Sequence, residues 1–360
     1  MKNKVVLVTG GTGSFGKTMV QHLLNQGCEE IRILSRDEWK QHDMRGAFSN
    51  PALKFFIGDV RSRQSVDGAM KGVDLVFHAA ALKQVPSCEF FPMQAVETNI
   101  VGSNNVIESA IANEVSCVVC LGTDKAVFPV NAMGMTKALM EKNVQAHARR
   151  LGADAKTRVC SVRYGNVMYS RGSVIPLFVK QLRGGNPLTI TEPKMTRFLM
   201  PLFDAVALVE FAFTHADQGD LFIKKAPAAT IENLAKAVRN IFQSDVAIEK
   251  IGMRHGEKMH EALASAAELR RAQDMGDYWR IRMDDRELNY SKYFTEGDPK
   301  TAIIDNYDSS NTEQLTVEQT EELLMTLPEI KAELGFTQEV QSTSAAPAKS
   351  SATEPVSHKG

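Results

Sequence analysis

The sequence predicts an α/β protein with a doubly wound parallel sheet, and three observations carry that prediction. Apolar runs of strand length alternate with amphipathic stretches of helix length through the first half of the chain. Those runs lack polar alternation, as a parallel sheet covered on both faces requires. A glycine-rich loop, TGGTGSFG, closes the first run and opens the first helix.

The elements follow in order. KVVLVTG is the first strand, and the helix after it closes on MVQHLLNQG, with Gly27 as its stop signal. EIRILSR, LKFFIGDV, DLVFHAAA and SCVVCLGT supply strands two to five. A long helix is expected over MQAVETNIVGSNNVIESAIANE and another from about Met133 to Arg150, followed by a sixth strand in TRVCSVRYGNV. After about residue 170 the rhythm breaks into short helices, prolines and isolated strands such as GDLFIKKAP and YWRIRM. Two later helices open on capping patterns, weak at Thr230–Asn233 and good at Thr316–Gln319. We read residues 1–170 as a dinucleotide-binding domain and 171–335 as a smaller substrate lobe with some strands returning to the main sheet. A polar, aromatic arm near residues 284–312 is a candidate subunit contact, and residues 338–360, nearly free of large apolar side chains, are expected to be a disordered tail.

Bulk properties narrow the function. The chain has 360 residues, enough for one large core or a core plus a lobe, and a net charge of −1, which offers no footprint for nucleic acid. The longest apolar runs break well short of a membrane span, and MKNKVVLVTG enters a strand directly instead of a leader. A cytoplasmic enzyme without membrane contact is the expectation. Five cysteines suit a reducing compartment, and Cys117 and Cys120, three apart in a strand, should face opposite ways. The histidines lack metal-ligand spacing; His255 and His260 flank a Gly-Glu-Lys segment of poor geometry for a shared ion, so no metal is expected.

The first loop carries a dinucleotide reading. Gly10, Gly13 and Gly16 allow a tight turn, backbone approach to a pyrophosphate and close helix–sheet packing, with Thr9, Ser14 and Phe15 beside them. Where an NAD-specific protein places an acid after the second strand, this chain has Ser35 and Arg36, with Lys40 a helical step later; a cation there favours the 2′-phosphate of NADP. Asp59, followed by Val60, ends the third strand and is a candidate acceptor for the adenine amine, while Ala79, Ala80 and Ala81 let a cofactor pass closely. Tyr164 and Asn166, within TRVCSVRYGNV, join this group.

TGxxGxxG, HAAALK and a lysine on the helix after the fifth strand resemble the extended short-chain dehydrogenase/reductase superfamily, whose fold is the Rossmann sheet. That superfamily's usual Tyr-x-x-x-Lys aligns here with Met133-Gly-Met-Thr-Lys137, so a thioether stands where the usual base would be. A narrower set, SRDE, ALKQVP, GTDKAVFPVNAMGMTK, RYGNVMYSRGSVIPLF, MTRFLM, KAPAATI and RHGEKMHE, resembles the inverting UDP-N-acetylglucosamine 4,6-dehydratases of bacterial surface-polysaccharide synthesis (capsule or O-antigen) over about residues 4 to 330, in the Met-x-x-x-Lys branch that also epimerises C5. The resemblance implies hydride transfer from C4 to tightly bound, recycled NADP, proton loss at C5, departure of water from C6 and hydride return to C6. It implies Asp124 as the acid at C6, a neutral Lys125 as the base at C5, and Lys137 on the nicotinamide ribose. Met133 is expected to pack against sugar or nicotinamide, with the C4 proton leaving through Thr123, Asp124 or a water. Lys83, for the cofactor or the substrate, and Asn166, Ser173, Val174, Arg197, Arg254 and Glu257 are the candidates for UDP-N-acetylglucosamine, and the family implies a homo-oligomer, a hexamer by analogy. Two other readings share the motifs: a UDP-hexose 4-epimerase, which has no need of Asp124 or Lys125, and a catalytically silent NADP-sensing regulator.

Overall fold

The computed structural model describes residues 1–284 and 305–336. Most of the expected arm and all of the expected tail lie outside those residues. Among the described residues nine strands form the main sheet. β1 (Val5–Thr9), β2 (Glu30–Ser35), β3 (Leu53–Ile57), β4 (Leu75–His78), β5 (Cys117–Leu121) and β6 (Arg158–Arg163) appear where the apolar runs place them. Their spatial order is β6-β5-β4-β1-β2-β3, all parallel, extended past β6 by Leu221–Lys224 (parallel) and then by Tyr278–Ile281 and Ala272–Asp274 (antiparallel). The chain reverses direction of winding between β1 and β4, which opens a crevice at the carboxyl ends of those strands. This is the Rossmann-like α/β architecture, with strands from the second half returning to the sheet.

Alternation decides which face each side chain joins. Val6 and Val8 of β1 pack on one side with the helices Ser14–Asn25 and Leu202–His215, while Leu7 packs on the other with Arg63–Met70, Gly102–Ala112 and Ala132–Leu151. In β5, Cys117 and Cys120 fall into these two opposite cores, and all five cysteines are unbridged and buried. A third cluster, including Phe178, Leu188, Leu234, Val238 and Leu324, forms the core of the second lobe.

Local differences have local causes. The single helix expected after β4 is one continuous path with a π turn at Val96–Val101. There the chain approaches the segment after β3 closely: a Cβ on Gly102 would stand 2.7 Å from Val60 Cγ2. The helix Ala132–Leu151 starts on Asn131, whose side chain accepts from Gly134 N at 2.9 Å. Thr316 and Gln319 form a full capping box, whereas Thr230 only accepts from the Asn233 amide. Among the described residues no helix is long and apolar enough to cross a membrane, and no group of side chains has metal-binding geometry.

Candidate active site

One cleft of about 860 Å³ runs along the carboxyl ends of β1, β2, β4 and β5 and reaches the first loop of the second lobe. Its floor is the glycine loop. Gly10 has φ +69°, and a Cβ there would lie 2.9 Å from the Ala80 backbone; one on Gly16 would lie 2.4 Å from Gly11 Cα. These positions keep the loop, the helix start and β4 in contact, leaving amides of the first turn open to a ligand. Gly13, Ser14 and Phe15 line the same floor, and Phe15 stacks on Tyr164 with ring centroids 5.7 Å apart. Thr9 is elsewhere: buried, it bonds His78 Nδ1 at 2.8 Å and accepts from Ala80 N, so it braces the loop from beneath and is not a cleft wall.

At the far end of the floor stand Ser35, Arg36, Lys40, Asp59 and Val60, with Ala79, Ala80 and Ala81 along the side. Arg36 is half exposed and lies 3.6 Å from Asp59, whose carboxylate is also held by Arg61 at 2.7 Å. Lys40 pairs with Asp37, which leaves Arg36 as the freer cation of the two. Three buried oxygens of cleft-lining residues lack hydrogen-bond partners among the described residues: Thr98 Oγ1, Asn166 Oδ1 and Ser173 Oγ. Unmet polar atoms on a cleft wall mark where a polar ligand completes the structure. The glycine cradle and these orphans fit a dinucleotide with a polar substrate beyond it.

The opposite wall comes from β5 and the turn after it. Thr123, Lys125, Met133 and Lys137 line the cleft together. Their proximity rests on Gly134, where a Cβ would lie 2.2 Å from the Lys125 carbonyl oxygen, so the helix start is pressed onto the turn. Met133 is buried with Cys88 and Ala95 and presents its edge to the cleft. It fills a corner of the apolar wall.

The two lysines are electrostatic opposites, and the expectation for Lys125 is overturned. Burial pulls its amine down, but Asp124 and Glu261 more than compensate, and its pKa is raised. Its Nζ lies 3.0 Å from Asp124 Oδ1 and 3.8 Å from Glu261 Oε1. Lys125 is charged where a neutral amine was expected, because two carboxylates flank it. Lys137 has the property expected of Lys125: burial lowers it to about 8, against weaker opposition from Cys120 and Glu141. Lys83, also on the wall, is lowered by burial and by the charge of Lys125. Burial, and after it the charge of Asp124, push the Tyr164 phenol well above its ordinary range, so it stays protonated and is no substitute base.

Other candidates fall outside the cleft. Asp124 is fully buried behind the wall; its Oδ1 accepts from Thr123 Oγ1 at 2.9 Å and from Lys125 N, and its Oδ2 has no partner among the described residues. It meets the cleft through Thr123 and Lys125, in place of the direct contact expected of an acid at C6. Ser173 lines the cleft but Val174, the first residue of the next helix, does not. Arg197 donates to the carbonyls of Thr196 and Met259, which turns its guanidinium onto the lobe's own backbone. Arg254 is exposed, and Glu257 accepts from the Arg254 amide in a local turn. The sequence reading passed over Gln84, Gly165 and Leu202, which also line the cleft. Gln84 comes within reach of the loop at Gly172 (φ +76°), a contact made by folding and carried by no local motif.

Comparison with known proteins agrees with this geometry. Residues 6–283 match the family described as polysaccharide biosynthesis protein, and residues 284–331 match that family's C-terminal segment. The chain is 56% identical over 336 residues to proteins named UDP-glucose 4-epimerase from Rickettsia conorii and Rickettsia prowazekii, covering 92% of this chain and 98% of each relative. Among solved structures it is similar to Pen from Bacillus thuringiensis, with 35% identity, a TM-score of 0.82 and coverage of 91% and 99% of the two chains. The dTDP-glucose 4,6-dehydratase DesIV of Streptomyces venezuelae, 22% identical with a TM-score of 0.65 over 71% of this chain and 86% of that one, shares the fold.

Proposed function

We propose a function for a chain that belongs to the polysaccharide biosynthesis protein family: it oxidises C4 of a UDP-linked hexose and returns the hydride within the same binding event. The chain is a sugar-nucleotide-modifying enzyme, and the observation that carries the proposal is the cleft that joins the glycine loop to Thr123, Lys125, Met133 and Lys137. A nicotinamide dinucleotide, when bound, supplies the hydride acceptor and donor. The glycine floor would hold its diphosphate, and Arg36 supports a 2′-phosphate and therefore NADP. Lys137 replaces the missing tyrosine: its amine, neutral above about pH 8, takes the C4 hydroxyl proton.

Two completions share the 4-ketone. Return of hydride to the opposite face of C4 gives a UDP-glucose or UDP-N-acetylglucosamine 4-epimerase, the completion that the 56% identical relatives support by name. The second reading, 4,6-dehydration with inversion at C5, is favoured by one observation. A 4-epimerase needs no ammonium pinned between carboxylates beside the sugar, and Lys125 is such a group. Charged, it suits giving a proton to the departing C6 oxygen or back to C5, and the proton that first leaves C5 would go to a second amine of the cleft, for which Lys83, lowered by burial, is the candidate.

Incubation with UDP-glucose and with UDP-N-acetylglucosamine in heavy water, read by mass spectrometry and NMR, decides between them. An unlabelled C4 epimer establishes epimerisation. A product lighter by one water with deuterium at C5 establishes dehydration. Unchanged sugar in both incubations, with cofactor supplied, rules out the proposal.

A further inference from the structure

Glu261 has no place in the reading above and was no sequence candidate, although it closes the RHGEKMHE stretch. It is buried on the second lobe at the start of Ala262–Ala264. Its backbone is fixed from both sides: the amide donates to Ser309 Oγ at 3.0 Å and the carbonyl accepts from Ser309 N at 2.8 Å, and Ser309 is fully buried. The carboxylate points back to the first domain. Oε1 lies 3.8 Å from Lys125 Nζ, and Oε2, 3.4 Å from Lys258 Nζ, makes no hydrogen bond among the described residues. The segment around it grips the catalytic turn, because Lys258 Nζ donates to the Val127 carbonyl at 2.8 Å and Asn131 Nδ2 donates to the Gly256 carbonyl at 3.1 Å.

We propose that Glu261 is a positioning residue of the active centre: its carboxylate and that of Asp124 hold the Lys125 amine between them at the cleft wall, so that the second lobe sets where this amine stands when substrate arrives. The proposal rests on the reading that Lys125 meets substrate in that cleft. A buried carboxylate retained beside an ammonium is costly unless geometry compensates, and here one oxygen is left without a hydrogen bond. A residue serving packing alone would be better satisfied. The charges facing Lys125 are Asp124 beside it, Glu261 and, against these, Arg197 from the lobe and Lys83 from the loop after β4. Removing Glu261 leaves Asp124 opposed by two cations, so Lys125 should release its proton more readily.

The test uses the full chain as Glu261→Gln, Glu261→Asp and Lys258→Met. Lys125 is titrated directly by pulsed acetylation with acetic anhydride across pH, quantified by peptide mass spectrometry against the exposed Lys142. The acetylation profile of Lys125 should move down by about one pH unit in Glu261→Gln, stay near wild type in Glu261→Asp, and move up in Lys258→Met, which frees Glu261 for Lys125. Turnover of the UDP-sugar should fall about tenfold in kcat in Glu261→Gln with KM little changed, and recover in part in Glu261→Asp. An unmoved Lys125 profile in Glu261→Gln overturns the proposal whatever the activity. Should that variant not fold, an unmoved profile in Lys258→Met overturns it equally. If the wild type turns over no UDP-sugar, the functional reading fails while the labelling still decides the role of Glu261.

Discussion

Lys125 and Lys137 are twelve positions apart and occupy one cleft wall, yet their surroundings shift their pKa values in opposite directions. Lys137 carries the testable consequence. Burial lowers its pKa from 10.5 to about 8, so the folded chain binds fewer protons than the unfolded chain between those values. Its contribution to stability therefore rises with pH through that window, and the neutral amine exists in the folded state above about 8. We expect kcat/KM to climb towards pH 8 and then level. Lys137→Arg, charged at every accessible pH, should remove that climb and lower the rate by about 10²–10⁴; a pH–rate profile of the variant with the same midpoint as wild type would exclude Lys137 as the base. The residue types in this site were legible in the sequence. Their pKa shifts were not, because burial acts on both lysines and Glu261, which adds to the neighbouring Asp124 at Lys125, comes from a distant segment.

The strand–turn–helix unit from Cys117 to Leu151 does the positioning. Thr123 caps the one-turn 3-10 helix Asp124–Ala126, Asn131 caps the following helix, and Gly134 lets the two touch. Gly134→Ala would drive a methyl to 2.2 Å from the Lys125 carbonyl, which cannot move without shifting the turn. We expect a loss of about 1–3 kcal/mol, seen as a lower urea midpoint, together with a fall in kcat because Lys125 moves with its carbonyl. An unaltered midpoint would show that the turn yields freely. Existence and order of the elements could be read from apolar period and capping residues. The π turn at Val96–Val101 could not, since it answers to the close approach at Gly102 and Val60, forty-two positions apart in the chain.

At the scale of the whole molecule, Arg163 at the end of β6 ties the lobes. Fully buried, it donates to Glu141 of the long helix and, at 3.0 Å, to Glu268 of the second lobe, as well as to the Leu263 carbonyl at 2.8 Å. Burial opposes its charge, but the two carboxylates hold its pKa above the ordinary arginine range. Glu141 also abuts Gly122, where a Cβ would come within 2.4 Å of Oε1, so the network reaches the cleft wall. Arg163→Met would leave Glu141 buried without its cation. The expected cost is about 3–5 kcal/mol in chemical denaturation, with the second lobe losing amide protection first in hydrogen exchange. A uniform loss across both lobes would show that the arginine serves the sheet alone.

By itself, the sequence determined the layered parallel sheet, the glycine floor and the short run that supplies Thr123, Lys125, Met133 and Lys137. Those features depend on periodicity, backbone freedom and spacing within a few residues, all of which are local. Only the tertiary structure decided that Asp124 stands behind the wall, that Arg197, Arg254 and Glu257 do not line the cleft, and that Glu261 reaches Lys125. Direction and charge state depend on what lies opposite in space, and a side chain's opposite neighbour is set by the packing of segments that are far apart in the chain.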